Sequence, residues 1–235
     1  MRFTIDGSVL SLVPKLKIGI VLLTDVNNKG KSTKIHHLLE EISELIKLNF
    51  SPAELAEHPM ISPWRTVYYH FGSKPTKYKC SVEAMIRRIL RGHPIPRKNK
   101  LVDICNYLIL KHLIPMGCYD LDKIKGNITL TTAKGNERFI PIHTAAAETP
   151  DPGEVIYRDD EKVLCRKWNW RDSNETAVTE QTKRAVFFID ALPPVKEEKL
   201  KTVCKDLSEL AALFCKAKSK IFIADKTKPE IFLKP

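Results

Sequence analysis

The chain has 235 residues, enough to bury a full core as one large domain or two small interleaved ones. Its 39 lysines and arginines outnumber 28 acidic residues for a net charge of +11; this suits a polyanionic partner, since each phosphate neutralised releases counterions, although a lysine-rich solubilising surface would give the same count. Six cysteines without a CxxC pair or finger-like histidine partners disfavour structural zinc, no cofactor is implied, and no apolar run nears the roughly 20 residues of a bilayer span, so no membrane partner is expected.

Asp6, Lys15 and Lys17 interrupt the stretch a signal peptide would need, and with reduced thiols this predicts a cytoplasmic protein. Residues 17–24 (KIGIVLLT) read as a buried strand. Residues 32–49 follow as an amphipathic helix with Ile35, Leu38, Leu39, Ile42, Leu45 and Ile46 on one stripe. Ser51-Pro52-Ala53-Glu54 is a capping box that predicts another helix, and Ser62-Pro63 repeats the logic. Ser81 is expected to cap a helix through Ile89, ending near Gly92. Prolines stiffen 93–96, and a helix runs from about Lys100 to Leu113. From Gly126 the period becomes two, and 128–133 with 137–142 are predicted to pair as a hairpin across 134–136. Residues 155–168 read as a second hairpin turning at Asp159-Asp160. Residues 185–192 form a buried strand stopped by Pro193-Pro194, Glu197 to Cys215 a helix, and two short strands close the chain. The fold class expected is α+β, with mixed α/β layers around a central β-sheet.

Residues 22–33 (LLTDVNNKGKST) lie where a phosphate-binding loop would, and Gly30-Lys31-Ser32 supplies its final G-K-S. Asp25 stands where that loop needs a glycine, and VFFID (186–190) could serve as a magnesium-binding strand, so an NTPase is a remote alternative. Arg87 to Lys100 holds Arg87, Arg88, Arg91, Arg97, Lys98 and Lys100 and no acid. Such an array suits RNA phosphates, or is a solvated face. Trp168 and Trp170, read as sharing one strand face, could stack a base between Arg166 and Arg171 or fill the core.

The VDICN opening of the 100–113 helix carries Asn106, a polar group beside an apolar wall that could serve a ligand or local backbone. After it come Gly117-Cys118-Tyr119-Asp120, Asp122-Lys123-Ile124, Gly126 and a strand, then Gly153-Glu154, Cys165-Arg166, Thr176, Thr179 and Thr182, and a strand ending Asp190-Ala191. This succession resembles the B3/B4 domain of the phenylalanyl-tRNA synthetase β subunit, in which a VDxxN helix leads to a His-Ala-Phe-Asp corner. Over roughly residues 80–192 the order and spacing match; Gly117 stands at the family's histidine, and Asp190 is the nearest counterpart of its strand-ending glutamate.

The resemblance implies a B3/B4-like fold, with 80–235 as that domain, closed by the C-terminal helix and strands, and 1–79 as an α/β flank packed on it in one compact unit. It implies a tRNA or aminoacyl-tRNA partner and a pocket lined by Asn106, Tyr119, Glu154, Arg166, Trp168, Thr179 and Asp190, with the basic arm at the acceptor end. A trans-editing hydrolase of mischarged aminoacyl-tRNA follows, or a non-catalytic module binding RNA or an amino-acid-like ligand. The several hundred further residues of a synthetase subunit are missing from this span, so aminoacylation is not expected.

Overall fold

A computed structural model describes residues 1–234. The apolar, β-branched run of β2 (Lys17–Thr24) lies between β8 (Ala185–Ala191) and β9 (Lys218–Asp225). With β3 (Met116–Asp120) at the other edge they form a wholly antiparallel sheet of order β3-β8-β2-β9. Helices α5 (Lys100–His112) and α6 (Glu197–Cys215) cover one face. Contact is close there: a Cβ on Gly19 would lie 2.6 Å from Cys204 Sγ of α6. Helix α2 (Thr33–Asn49) packs on α5 and on α4 (Ser81–Leu90).

The other face packs on a second sheet, of order β10-β1-β4-β5-β6-β7. Its strands are β1 (Arg2–Ile5), β4 (Ile128–Thr132), β5 (Val155–Arg158), β6 (Val163–Arg166), the short β7 (Arg171–Asp172) and β10 (Glu230–Phe232). Phe188 from β8 meets Phe3 at 4.7 Å and Tyr157 at 5.0 Å between ring centroids, joining the two sheets through an aromatic layer. The expected mixed α/β layering around a central sheet is what the chain adopts, with the four-stranded sheet in the middle. The first 79 residues supply β2 to that sheet's interior and β1 between β10 and β4.

Several expectations give way. Residues 128–133 and 137–142 do not pair: β4 takes β5 as its antiparallel neighbour and β1 as its parallel one. The Glu137 carboxylate instead accepts the backbone N–H groups of Lys134, Gly135 and Asn136, turning the chain away from the sheet. Ser51 starts no α-helix. Its Oγ accepts only from Ala53, and the 3-10 turn Leu55–Glu57 stops before Pro59, which forces His58 to extended ψ. Ser81 is the first residue of α4, with Cys80 at the cap position and its own Oγ unpartnered. On α2 the buried stripe is Ile35, Leu39 and Ile46, whereas Leu45 is exposed. The N-terminal β1 and helix α1 (Gly7–Leu12), capped by Asp6, had no counterpart in the sequence reading. The six cysteines are free thiols, and no helix among the described residues is long and apolar enough to cross a membrane.

The nucleotide-loop alternative fails on topology. Asp190 pairs with Ile18 at the start of β2, so it lies roughly 20 Å, at strand rise, from the end of that strand out of which the chain leads to Lys31. Ser32 Oγ accepts from Ile35 N as the cap of α2, and Asp25 pairs with Lys218.

Candidate functional site

A cleft of about 410 Å³ opens between α5 and the edge strand β3, within the range of small-ligand sites. Helical spacing brings Val102, Cys105, Asn106 and Ile109 of α5 to one wall, and Met116 and Cys118 of β3 form the floor. The facing wall is the segment from Asp172 to Thr179, and Lys98 and His143 meet at the rim, Nζ to Nε2 at 3.1 Å.

Two asparagines fix these walls to each other. Asn99 caps α5, its Oδ1 accepting from Val102 N, while its Nδ2 donates to Val178 O. Asn28 Nδ2 donates to Asn99 Oδ1 and Thr179 O, and Asn28 Oδ1 accepts from Leu101 N. The last of the three threonines Thr176, Thr179 and Thr182 is structural: Thr182 Oγ1 accepts from Thr179 N and donates to Asp120 at 2.6 Å.

Because β-strand side chains alternate, Gly117 and Tyr119 point away from the cleft, towards the second sheet. There they line an inner cavity of about 60 Å³ with Tyr157, Trp168, Asn169 and Asp190. Ser81, Met116 and Asp172 border both spaces. Tyr119 donates to Asp172 Oδ1 at 3.2 Å. Asp190 accepts from Tyr157 Oη at 2.5 Å and from Asn169 Nδ2, and burial pushes its carboxyl up to about 7. Desolvation also raises Asp172 above the usual carboxylate range and Cys118 well above the usual thiol range. Cys118 is therefore a protonated wall residue rather than a thiolate nucleophile.

The seven candidate pocket residues separate into three groups. Asn106 and Thr179 are half-buried on the cleft, whereas Tyr119, Trp168 and Asp190 surround the inner cavity. Glu154 and Arg166 reach neither space. Arg166 donates through Nε and Nη2 to the two Glu154 oxygens at 2.9 Å each, and through Nη1 to Glu148, while Lys167 binds Glu154 at 2.6 Å and Asp151 at 2.7 Å.

The paired-indole surface is also absent. β6 ends at Arg166, and positive φ at Lys167 and Trp168 turns the chain, so the two indoles part. Trp168 is fully buried edge-on against Trp64, and Trp170 lies edge-on to Tyr78 with Arg171 4.5 Å from its centroid. The basic arm is divided as well. Arg87 is tied to buried Glu83, Arg88 Nε to Pro94 O, Arg97 to Ser32 O and Lys100 to Asn27 O, while Arg91 is exposed and Lys98 stands at the cleft rim. Sequence reasoning missed Ser81, Asn99 and Asp172 as wall residues: Ser81 reads there only as a helix cap, and Asn99, one residue before the α5 helix, offers a cap signal that the reading of that helix leaves out.

Gly117 owes its identity to Tyr119. A Cβ there would lie 2.5 Å from the Tyr119 hydroxyl and 2.9 Å from its ring carbon Cζ. Gly117→Ala is expected to destabilise the fold by about 1–3 kcal/mol through overpacking. Tyr119→Phe in that background should recover part of the loss, as read from denaturant midpoints; equal stability of the alanine variant would refute the steric account.

The B3/4 domain family profile matches residues 63–216. The phenylalanine–tRNA ligase beta subunit of Chromobacterium violaceum is 33% identical over 148 residues, 58% of this chain and 19% of that subunit. The corresponding subunit of Fusobacterium nucleatum is 38% identical over 66 residues, 28% of this chain and 8% of that one. The chain thus spans less than a fifth of the length of these curated relatives. Among solved structures, an N-terminal fragment of the phenylalanyl-tRNA synthetase beta-subunit from Pyrococcus horikoshii superposes with a TM-score of 0.47 at 14% identity, covering 92% of this chain and 49% of that fragment.

Proposed function

The chain belongs to the B3/4 domain family, and from that premise we propose that its cleft receives the aminoacyl end of a charged tRNA and aligns the ester for hydrolysis in trans. The observation that carries this reading is the cleft itself: an amino-acid-sized space with an apolar wall (Val102, Cys105, Ile109, Met116), the polar side chains of Asn106 and Thr179, and a cationic rim at Lys98. The excess of positive charge favours a polyanionic partner.

Hydrolysis of such an ester needs no protein nucleophile. A water oxygen adds to the carbonyl carbon, the bond to the ribose oxygen breaks, and that oxygen leaves with a proton derived from the water. The protein's contribution is then orientation. The Asn106 amide can donate to the carbonyl oxygen or accept from the water, and the Thr179 hydroxyl can do either.

A panel of tRNAs charged with different amino acids tests the proposal. At least one should be deacylated, and Asn106→Ala should slow it by about 10²-fold, the cost of losing one donor to the developing oxyanion. Deacylation no faster than in buffer across the panel would overturn it. One observation favours a binding-only module: the cleft interior holds no imidazole, His143 sits at the exposed rim, and the inner cavity has Gly117 where the family's histidine would stand. Salt-sensitive tRNA retention without turnover is the result expected of that reading.

A further inference from the structure

Asp172 is a half-buried carboxylate on the wall shared by the cleft and the inner cavity, and it forms no ion pair among the described residues. Several other deep carboxylates of this protein are compensated by cations or by several backbone N–H groups, whereas Asp190, like Asp172, has only neutral partners and lies enclosed behind the cleft. Glu83 holds Arg65 and Arg87, Glu154 holds Arg166 and Lys167, Asp159 holds Lys162, and Glu137 accepts three backbone N–H groups. Asp172 has only neutral side-chain partners, the Tyr119 hydroxyl on Oδ1 and the Cys165 thiol. The buried Ser81 Oγ, on a residue that borders the same two spaces, has no hydrogen-bond partner. A carboxylate partly withdrawn from water without a cation costs free energy, and a positively charged ligand group placed against it would recover that cost. A metal ion fits poorly, because no group of three His, Cys, Asp or Glu side chains among the described residues could hold one. An ammonium group fits better: its donors need acceptors, and Asp172 and Ser81 Oγ supply two, next to the apolar wall formed by Val102, Ile109 and Met116.

We propose that Asp172, assisted by Ser81, anchors the free α-ammonium of an aminoacyl group in the cleft, so that the site takes unblocked aminoacyl compounds and rejects N-acylated or peptidyl ones. This rests on the aminoacyl reading above and names the chemical feature that the site selects. It assigns Asp172 a binding role, with the hydrolytic water and ester left to Asn106 and Thr179.

The probes are leucinamide, methioninamide and phenylalaninamide with their N-acetyl counterparts, titrated into the full-length protein by calorimetry or NMR. At least one free amide is expected to bind at least about tenfold more tightly than its N-acetyl form, as for a charge-assisted hydrogen bond. Asp172→Asn should bring the free amide down to the N-acetyl level while the protein stays folded, with a melting temperature no lower than that of the wild type, since the uncompensated charge is removed. Ser81→Ala, a milder change that leaves the carboxylate in place, should give a smaller loss in the same direction. Equal affinity for free and acetylated amides, a preference that survives Asp172→Asn, or no binding of any amide would each overturn the assignment. The two proposals separate cleanly. Amide binding that depends on Asp172 with no deacylation of any charged tRNA defeats only the hydrolytic reading. Deacylation indifferent to both Asp172 and N-acetylation defeats only the anchor.

Discussion

Glu154→Ala is expected to destabilise the protein by about 3–5 kcal/mol, because it leaves buried cations without their counter-charge. Glu154 is 1% exposed and binds Arg166 through both oxygens and Lys167 through one, and Arg166 and Lys167 are themselves buried. The remaining partners are weaker substitutes: Glu148 and Asp151 have side chains 43% and 70% exposed, so water competes for them. Their survival places the expected loss towards the lower end of the range. The cluster also holds the turn in which Lys167 and Trp168 adopt positive φ and Trp168 enters the core against Trp64. Glu154→Ala should therefore quench that packing as well as lower the urea midpoint, seen as a shift in tryptophan emission. A ligand-binding Glu154 would give the opposite pattern, with binding lost and the midpoint held. A change below about 0.5 kcal/mol, the usual size for a surface substitution, would show that the cluster is not needed.

That cluster illustrates what the sequence could and could not reveal. Glu154, Arg166 and Trp168 drew attention as chemically rich residues, and the alternating aromatics of WNWR read as a strand. The turn at Lys167 and Trp168 depends on positive backbone φ at two non-glycine residues, held by long-range ion pairs that no local pattern announces. Elements governed by their own hydrophobic periodicity were legible: β2, β8, α5, α6 and the β5–β6 hairpin, whose turn is closed by Asp159 accepting from Glu161 N and Lys162 N. The 128–142 hairpin was misread because pairing is a contest between local and distant partners. The Glu137 carboxylate removed the local one, and β1 and β5 flank β4 instead. In the site, Asn106 was legible because a lone amide interrupts an apolar helical face. Asp172 was not, since an acid between Arg171 and Ser173 looks like any exposed turn until β7 sets it against Tyr119.

Asp190→Asn is expected to remove a pH dependence of several kcal/mol from the stability of the fold. The Asp190 carboxyl is buried without a cation and is pushed from 3.8 up to about 7, so between those values the native state keeps a proton that the unfolded chain releases. With more protons bound to the native state, stability falls as pH rises through this window. At about 1.4 kcal/mol for each tenfold change in proton concentration, the total reaches about 4 kcal/mol. Wild-type protein should therefore be more stable at pH 5 than at pH 8 with respect to this group, and the slope should flatten above about pH 7. The asparagine variant should lack that slope and retain the one from Asp172, which has the same sign because burial raises that carboxyl too. The slope is the proper readout. The Tyr157 hydroxyl keeps an acceptor in the variant, but the new amide nitrogen faces the Asn169 Nδ2 donor, a local cost that is independent of pH. Urea midpoints at half-unit intervals from pH 5 to 8 decide the matter: parallel curves for the two proteins would mean that Asp190 is ionised at neutral pH despite its burial, and that the inner cavity carries a fixed negative charge behind the cleft.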